Sequence, residues 1–108
     1  MSTNKPQSNT TEIDKALAII GDVHILCIIN HLSDKEMRFN ELQRAIDGIS
    51  PTTLTDRLRK LEKENLVLRK EETVDKISVV YALTDKGRDL VPVINEVGKF
   101  AMKYFKPS

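Results

Sequence analysis

At 108 residues, with 40% apolar and 31% charged side chains, the chain is long enough for one domain with a modest core and too short for two. Trp is absent and aromatic residues make up only 5%, so Leu, Ile and Val must build that core. A formal net charge of +1 excludes a uniformly basic nucleic-acid binder, because phosphate neutralisation needs clustered Lys and Arg; any contact with a polyanion must rest on where the charges sit.

Residues 1–11 are polar, contain Pro6, and read as a flexible lead-in. A first helix is expected over 12–20, with Ile13, Leu17 and Ile20 on one side. Gly21 suits a C′ position and Asp22 the N-cap of a second helix over 23–32. That second helix is apolar nearly all round (Val23, Ile25, Leu26, Cys27, Ile28, Ile29, Leu32), which predicts central burial. Residues 33–36 form a polar turn and 37–39 a candidate short strand, and Asn40 or a neighbour opens a third helix. Its apolar periodicity (Phe39, Leu42, Ala45, Ile46) ends at Asp47-Gly48.

Ser50-Pro51 marks the next start: a hydroxyl N-cap followed by proline at N1, where the missing N–H costs nothing. Residues 39–64 therefore read as a helix-turn-helix. Strands over 66–72 and 77–83 follow, the second alternating Ile77, Val79, Tyr81, Leu83 with Ser78, Val80, Ala82, and 73–76 forms the tip of a wing spanning 66–83. Thr84 caps a last helix over 84–105, with a kink expected near Asp89-Leu90 because Pro92 sits inside it. The fold class is mainly α with a small β-hairpin (α+β), a winged helix-turn-helix of five or so helices over 12–106.

On the helix after Ser50, Leu54, Leu58 and Leu61 cluster within roughly 60° at about 100° per residue and define the core direction. The opposite face carries Thr52, Thr55, Asp56 and Arg59 in the turns that reach base edges in such motifs. Arg59 suits guanine, a threonine methyl suits a thymine methyl, and Asp56 suits a cytosine amine. Thr53, Arg57, Lys60 and Lys63 are better placed for the DNA backbone. The charges from 50 to 65 are nearly balanced, and a solvated mixed-charge helix face carries the same pattern.

Other chemistry finds little support. One cysteine, Cys27, excludes an internal disulfide and a multi-thiolate metal site, and in the middle of the second helix it reads as a small hydrophobe. His24 and His31 lack further ligands, so no metal site and no cofactor are expected. No nucleophile–base pair or phosphate-cradling glycine loop points to an enzyme. No signal peptide or apolar run of about 18 residues is present, so a cytoplasmic location without membrane contact is expected.

Several segments together carry a family resemblance. They are Ala16-Leu17 with Ile20-Gly21, Arg38-Phe39-Asn40-Glu41-Leu42, Gly48-Ile49-Ser50-Pro51 with Thr53-Leu54, and Arg57-Leu58-Arg59 with Leu61-Glu62. Leu66-Val67, Tyr81-Ala82-Leu83-Thr84 with Gly87-Arg88, and Leu90-Val91-Pro92-Val93 continue the series. In these the chain resembles the HxlR family of winged-helix transcriptional regulators, related to the MarR group. The resemblance implies a homodimer formed by the first and last helices, bound to a pseudo-palindromic operator in double-stranded DNA, with a small-molecule effector possible and unidentified. The helix over 84–105 can serve as that dimerisation helix, since Leu90, Val93 or Ile94, Val97, Phe100 or Ala101, and Tyr104 form an apolar stripe, which with Ile13 and Leu17 of the first helix gives the expected interface; packing of that stripe on its own domain is the competing reading.

Three departures stand out. Thr11 occupies the position of the family's redox cysteine, Val23-His24 replaces a lysine-tryptophan pair, and Lys76-Ile77-Ser78 replaces Pro-Pro-Arg in the wing. Lys70 and Lys76 are then the remaining wing candidates for phosphate contact. With the near-zero net charge, the missing wing arginine keeps a second reading open: a winged-helix protein-interaction module that does not read DNA sequence.

Overall fold

Local capping fixes where the helices begin. The computed structural model describes residues 11–73 and 77–107; the lead-in before Thr11 and wing residue Lys76 lie outside them. Helix α1 (Glu12–Ile20) starts at Thr11, whose hydroxyl accepts from the Asp14 N–H at 3.1 Å while the Asp14 carboxylate accepts from the Thr11 N–H. Thr11 thus belongs to the domain and not to the lead-in. Gly21 ends α1 in a right-handed conformation rather than the left-handed one usual at C′; a Cβ there would lie 2.6 Å from the Leu17 carbonyl oxygen. Helix α2 (Val23–Leu32) is capped by Asp22, which accepts from the N–H groups of His24 and Ile25.

α2 is the central helix, packing on α1, on α3 (Phe39–Ala45), on α4 (Pro51–Lys63), on strand β3 (Ile77–Leu83) and on α6 (Val91–Tyr104). Ile25, Ile28, Ile29 and Leu32 are buried, while its first residue, Val23, is exposed, so the all-round apolar pattern exceeds what the core covers. α3 opens at Phe39, one residue before Asn40, and the Glu41 carboxylate accepts from the Arg38 N–H at 2.8 Å. Gly48, at φ +76°, makes the turn into α4.

The expected hairpin is part of a three-stranded antiparallel sheet, order β1-β3-β2, in which β1 is Met37–Arg38 and β2 is Val67–Thr73. Met37 pairs with Tyr81 and Arg69 with Tyr81 from the other side, making β3 the central strand. Tyr81 and Leu83 join the main core, yet Val80 and Ala82 on the alternate face are also buried. Simple alternation underestimates burial in a strand flanked on both edges.

The expected kinked last helix is two helices. α5 (Asp85–Arg88) is a single turn, and Asp89 and Leu90 separate it from α6. Pro92 at the second position of α6 has no N–H with which to continue the α5 ladder, so the chain restarts rather than bends. Along α6, Leu90, Val91 and Ile94 pack against the domain's own core, whereas Val93, Val97, Phe100 and Tyr104 are exposed. Two of the expected interface residues, Leu90 and Ile94, therefore point inward. Periodicity could not choose, because both stripes of this helix are apolar.

Candidate nucleic-acid interface

α4 is held from three sides. Ser50 caps it, its hydroxyl accepting from the Thr53 N–H at 3.1 Å, with Pro51 at N1. Leu54, Leu58 and Leu61 are at most 1% exposed and anchor the inner face. At the far end Asn65 takes φ +62°, and the Leu66 N–H bonds to the Leu61 carbonyl while the Asn65 N–H bonds to the Glu62 carbonyl, a Schellman ending. This fixes both the length of the helix and the direction in which the wing leaves it.

A second layer of contacts clamps that exit. The Lys86 ammonium donates to the Glu64 carbonyl at 2.7 Å, the Thr84 hydroxyl to the Asn65 carbonyl at 2.6 Å, and the Thr84 N–H to the Leu66 carbonyl at 3.1 Å. Three successive carbonyls, the helix's C-cap and the two residues that follow it, are thereby satisfied from the start of α5. Gly87 sits so close that a Cβ would lie 2.1 Å from the Leu66 oxygen. The Thr84-to-Arg88 segment is the latch joining recognition helix, wing and α5.

The outer face of α4 is open. Thr52, Thr55, Asp56 and Arg59, with Pro51, line one shallow depression of about 310 Å³. The structure brings all four expected base-facing residues together. Within this set Asp56 is not a bare charge: its carboxylate accepts from Arg57 Nη1 at 2.7 Å, and Arg57 Nε donates to Asp22 at 2.8 Å. Partial burial pushes the Asp22 carboxyl up, but the Ile25 N–H, the Arg57 guanidinium and the His24 N–H together hold it below its ordinary value. Arg59, exposed and without an ion pair among the described residues, is the cation this depression presents.

The expected backbone-contact residues divide. Lys63 is exposed with no bond among the described residues, and Thr53 is half-buried with its hydroxyl on Ser50. Arg57 is committed to Asp22 and Asp56, Lys60 donates to the Ala18 carbonyl at the end of α1 at 3.2 Å, and Lys70 pairs with Glu36. Each of these three ties elements together as well as carrying charge. Arg69, which sequence reasoning passed over, is exposed on β2 without an ion pair among the described residues. Its neighbours in a mixed-charge run hid it; only the register separates it from Lys70.

No helix among the described residues is long and apolar enough to cross a membrane, and no group of three or more His, Cys, Asp or Glu among them is arranged to hold a metal.

The sequence model of the HxlR-like helix-turn-helix matches residues 19–108. The chain belongs to the HxlR-like helix-turn-helix family. Among similar proteins, the uncharacterized HTH-type transcriptional regulator YvaP of Bacillus subtilis is 33% identical over 95 residues, covering 88% of each chain. BH0655 of Halalkalibacterium halodurans, another uncharacterized HTH-type transcriptional regulator, is 37% identical over 94 residues, 86% of this chain and 83% of its own. A crystal structure from Porphyromonas gingivalis assigned to the MarR family of transcriptional regulators superimposes with a TM-score of 0.83 at 32% identity, covering 94% of this chain and 99% of that one. The winged-helix fold and the transcriptional-regulator function implied by the resemblance agree with these relatives. Thr11, the position at which the resemblance implied a redox cysteine in relatives, is the N-cap of α1 in this chain.

Proposed function

We propose that this HxlR-type regulator acts in the cytoplasm as a homodimer that sets two recognition helices into the major groove of a pseudo-palindromic operator. The observation that carries the reading is the shared depression on α4, in which Thr52, Thr55, Asp56 and Arg59 face outward together while the leucines opposite are fully buried. Arg59 reads guanine, the two threonines meet thymine methyls or phosphates, and Asp56, steadied by Arg57, accepts from a cytosine amine. Lys63, Thr53 and Arg69 lie on the phosphates, joined by the remaining N–H donors of Arg57, Lys60 and Lys70.

Dimerisation is supported by surface that one domain leaves uncovered. Neither α1 nor α6 has a fully buried residue, and Ile13, Leu17, Val97, Phe100 and Tyr104 are 71%, 53%, 53%, 59% and 60% exposed. Apolar side chains in such numbers on two helices mark an interface rather than a solvated face. Half-buried Ala101 lies beside them, while Leu90 and Ile94 support the helix from within. A two-fold dimer would place half-sites about 34–36 Å apart.

Fluorescence anisotropy with a duplex from the protein's own upstream region and with random duplex tests the reading, alongside sedimentation of the free protein. The expected result is a dimer whose affinity falls steeply with salt and exceeds that for random duplex by about 10³ or more. A protein that binds neither duplex at low salt overturns it in favour of the protein-interaction module.

A further inference from the structure

The corner between α1 and α2 receives two cations from the recognition helix, and contact with DNA alone accounts for neither. Lys60 Nζ donates to the Ala18 carbonyl at 3.2 Å, and Arg57 Nε donates to Asp22 Oδ2 at 2.8 Å. Arg57 and Lys60 stand three apart on α4 and so share one flank of it, next to the buried Leu58 and Leu61. Their acceptors bracket the corner, Ala18 in the last turn of α1 and Asp22 as the N-cap of α2. A single attachment leaves a helix free to swivel; two on one flank fix its angle.

Each attachment is made where the charge is complementary. α1 has no basic residue in its own last turn, so Lys60 supplies from α4 the cation that the carbonyl end of a helix favours. Asp22 divides its carboxylate between two tasks: Oδ1 accepts from the His24 and Ile25 N–H groups and caps α2, while Oδ2 takes Arg57. The corner itself is tight. The Gly21 N–H bonds to the Leu17 carbonyl at 2.8 Å, and a Cβ on Gly21 would lie 2.6 Å from the same oxygen.

What lies at the two ends of this linkage gives it a purpose. Leu17, beside Ala18, is an exposed member of the apolar surface of α1. Asp56 and Arg59, beside Arg57 and Lys60, line the outer depression of α4, and Arg57 Nη1 also holds Asp56. The 13 residues of α4 span about 20 Å, so a tilt of about 10° carries one end by about 3.4 Å, one base-pair step.

We infer that the α1–α2 corner is a bracket that sets the angle of the recognition helix to the dimer surface, with Arg57 and Lys60 as the positioning residues through which the protein selects the spacing of its half-sites. Spacing selection rests on the proposed dimeric reading of DNA; the bracket itself is a property of the free protein. An exposed lysine bond and a partly exposed ion pair contribute modestly to stability, so the effect lies in geometry more than in folding.

The first test uses the whole chain and a duplex selected from a random pool, together with versions in which one base pair is inserted or removed between the half-sites. Fluorescence anisotropy compares the parent with Asp22→Asn, Lys60→Met and Lys60→Arg. Asp22→Asn keeps the capping oxygen and turns an amide NH₂ towards Arg57, donor against donor. The parent should prefer its own spacing by about ten-fold or more, and Asp22→Asn and Lys60→Met should cut that ratio to about three-fold or less. Lys60→Arg, which retains a donor, should restore it. A variant that was merely less well folded, or that had lost only a phosphate contact, would weaken on all the duplexes by one factor and keep the ratio.

The second test needs no DNA. Nitroxide labels at Lys63→Cys, in a Cys27→Ala background, report the distance between the two α4 helices of the dimer. Adding Asp22→Asn or Lys60→Met should widen or shift the distance distribution by about 3 Å or more. Unchanged spacing ratios in both variants, or an unchanged distribution, would overturn the bracket. A chain whose distribution responds but which binds no duplex overturns the regulator reading and leaves the bracket; one that binds its duplex with ratio and distance unmoved does the reverse.

Discussion

The two ends of α4 are built on opposite plans. Over its first turns, Thr52, Thr55 and Arg59 line an open depression with no side-chain partner among the described residues, and the Ser50 cap is a purely local device. At its exit, the carbonyls of Glu64, Asn65 and Leu66 are each taken by a group from beyond β3, and Gly87 presses against the last of them. One end is left free to meet a partner; the other is fixed so that the meeting occurs at a defined angle to the wing. A reading helix needs both, because a base contact loses value when the helix carrying it can tilt.

The largest effect should come from breaking the latch. Gly87→Val must place a branched side chain where even a Cβ would lie 2.1 Å from a backbone oxygen, and main chain cannot retreat as a flexible side chain would. We expect a loss of about 3 kcal/mol in urea unfolding at fixed protein concentration, together with lower affinity for every duplex. A variant as stable as the parent would show that the exit is soft.

Arg59→Ala addresses the free end alone. Stability should change by less than about 0.5 kcal/mol, because the side chain is exposed and unpaired among the described residues. Operator binding should weaken by about 1–3 kcal/mol and discrimination at one base pair should relax. Competition binding against a panel of single-base operator variants reads this directly; a uniform loss across the panel would move Arg59 from the bases to the phosphates.

How much of this contrast was legible in the sequence follows the distance over which each contact acts. The open end was legible: Ser50-Pro51, the Leu54–Leu58–Leu61 stripe and the face opposite it depend on residues within one helix. The N-caps Asp22 and Thr84 were legible for the same reason. Their second roles were not. Arg57 meets Asp22 across 35 positions, Lys60 meets Ala18 across 42 and Lys86 meets Glu64 across 22, and no local pattern marks such pairings. Three lysine and arginine side chains assigned by type to phosphates (Arg57, Lys60 and Lys70) have structural partners for that reason. The Leu90 and Ile94 stripe failed differently: a helix apolar on two faces contains no signal for which one its own core will claim.

Asp22 joins α2 to the middle of α4, since it caps α2 and also holds Arg57, and Asp22→Asn separates those tasks because asparagine caps as well as aspartate. A loss of about 1 kcal/mol at neutral pH is expected for this partly buried pair. The folded-state carboxyl titrates below its ordinary value of 3.8, so its stabilisation is complete above the unfolded pKa and disappears as pH falls through the folded one. Denaturation curves of the two proteins should therefore converge only below about pH 3.8. Convergence at higher pH would mean that Arg57 does not depend on the Asp22 charge.

The smallest effect separates steering from reading on the open face itself. Lys63 lies at the last turn of α4, exposed and unbonded among the described residues, beyond the depression that Arg59 helps to line. In Lys63→Gln the fold should be unaffected and affinity for operator and random duplex should fall together, so that their ratio stays constant. The slope of log affinity against log salt should drop by about one, the signature of a single lost phosphate contact. If the ratio changed while the slope did not, Lys63 would be touching a base, and the reading surface would extend a full turn closer to the latch than the free start of α4 suggests.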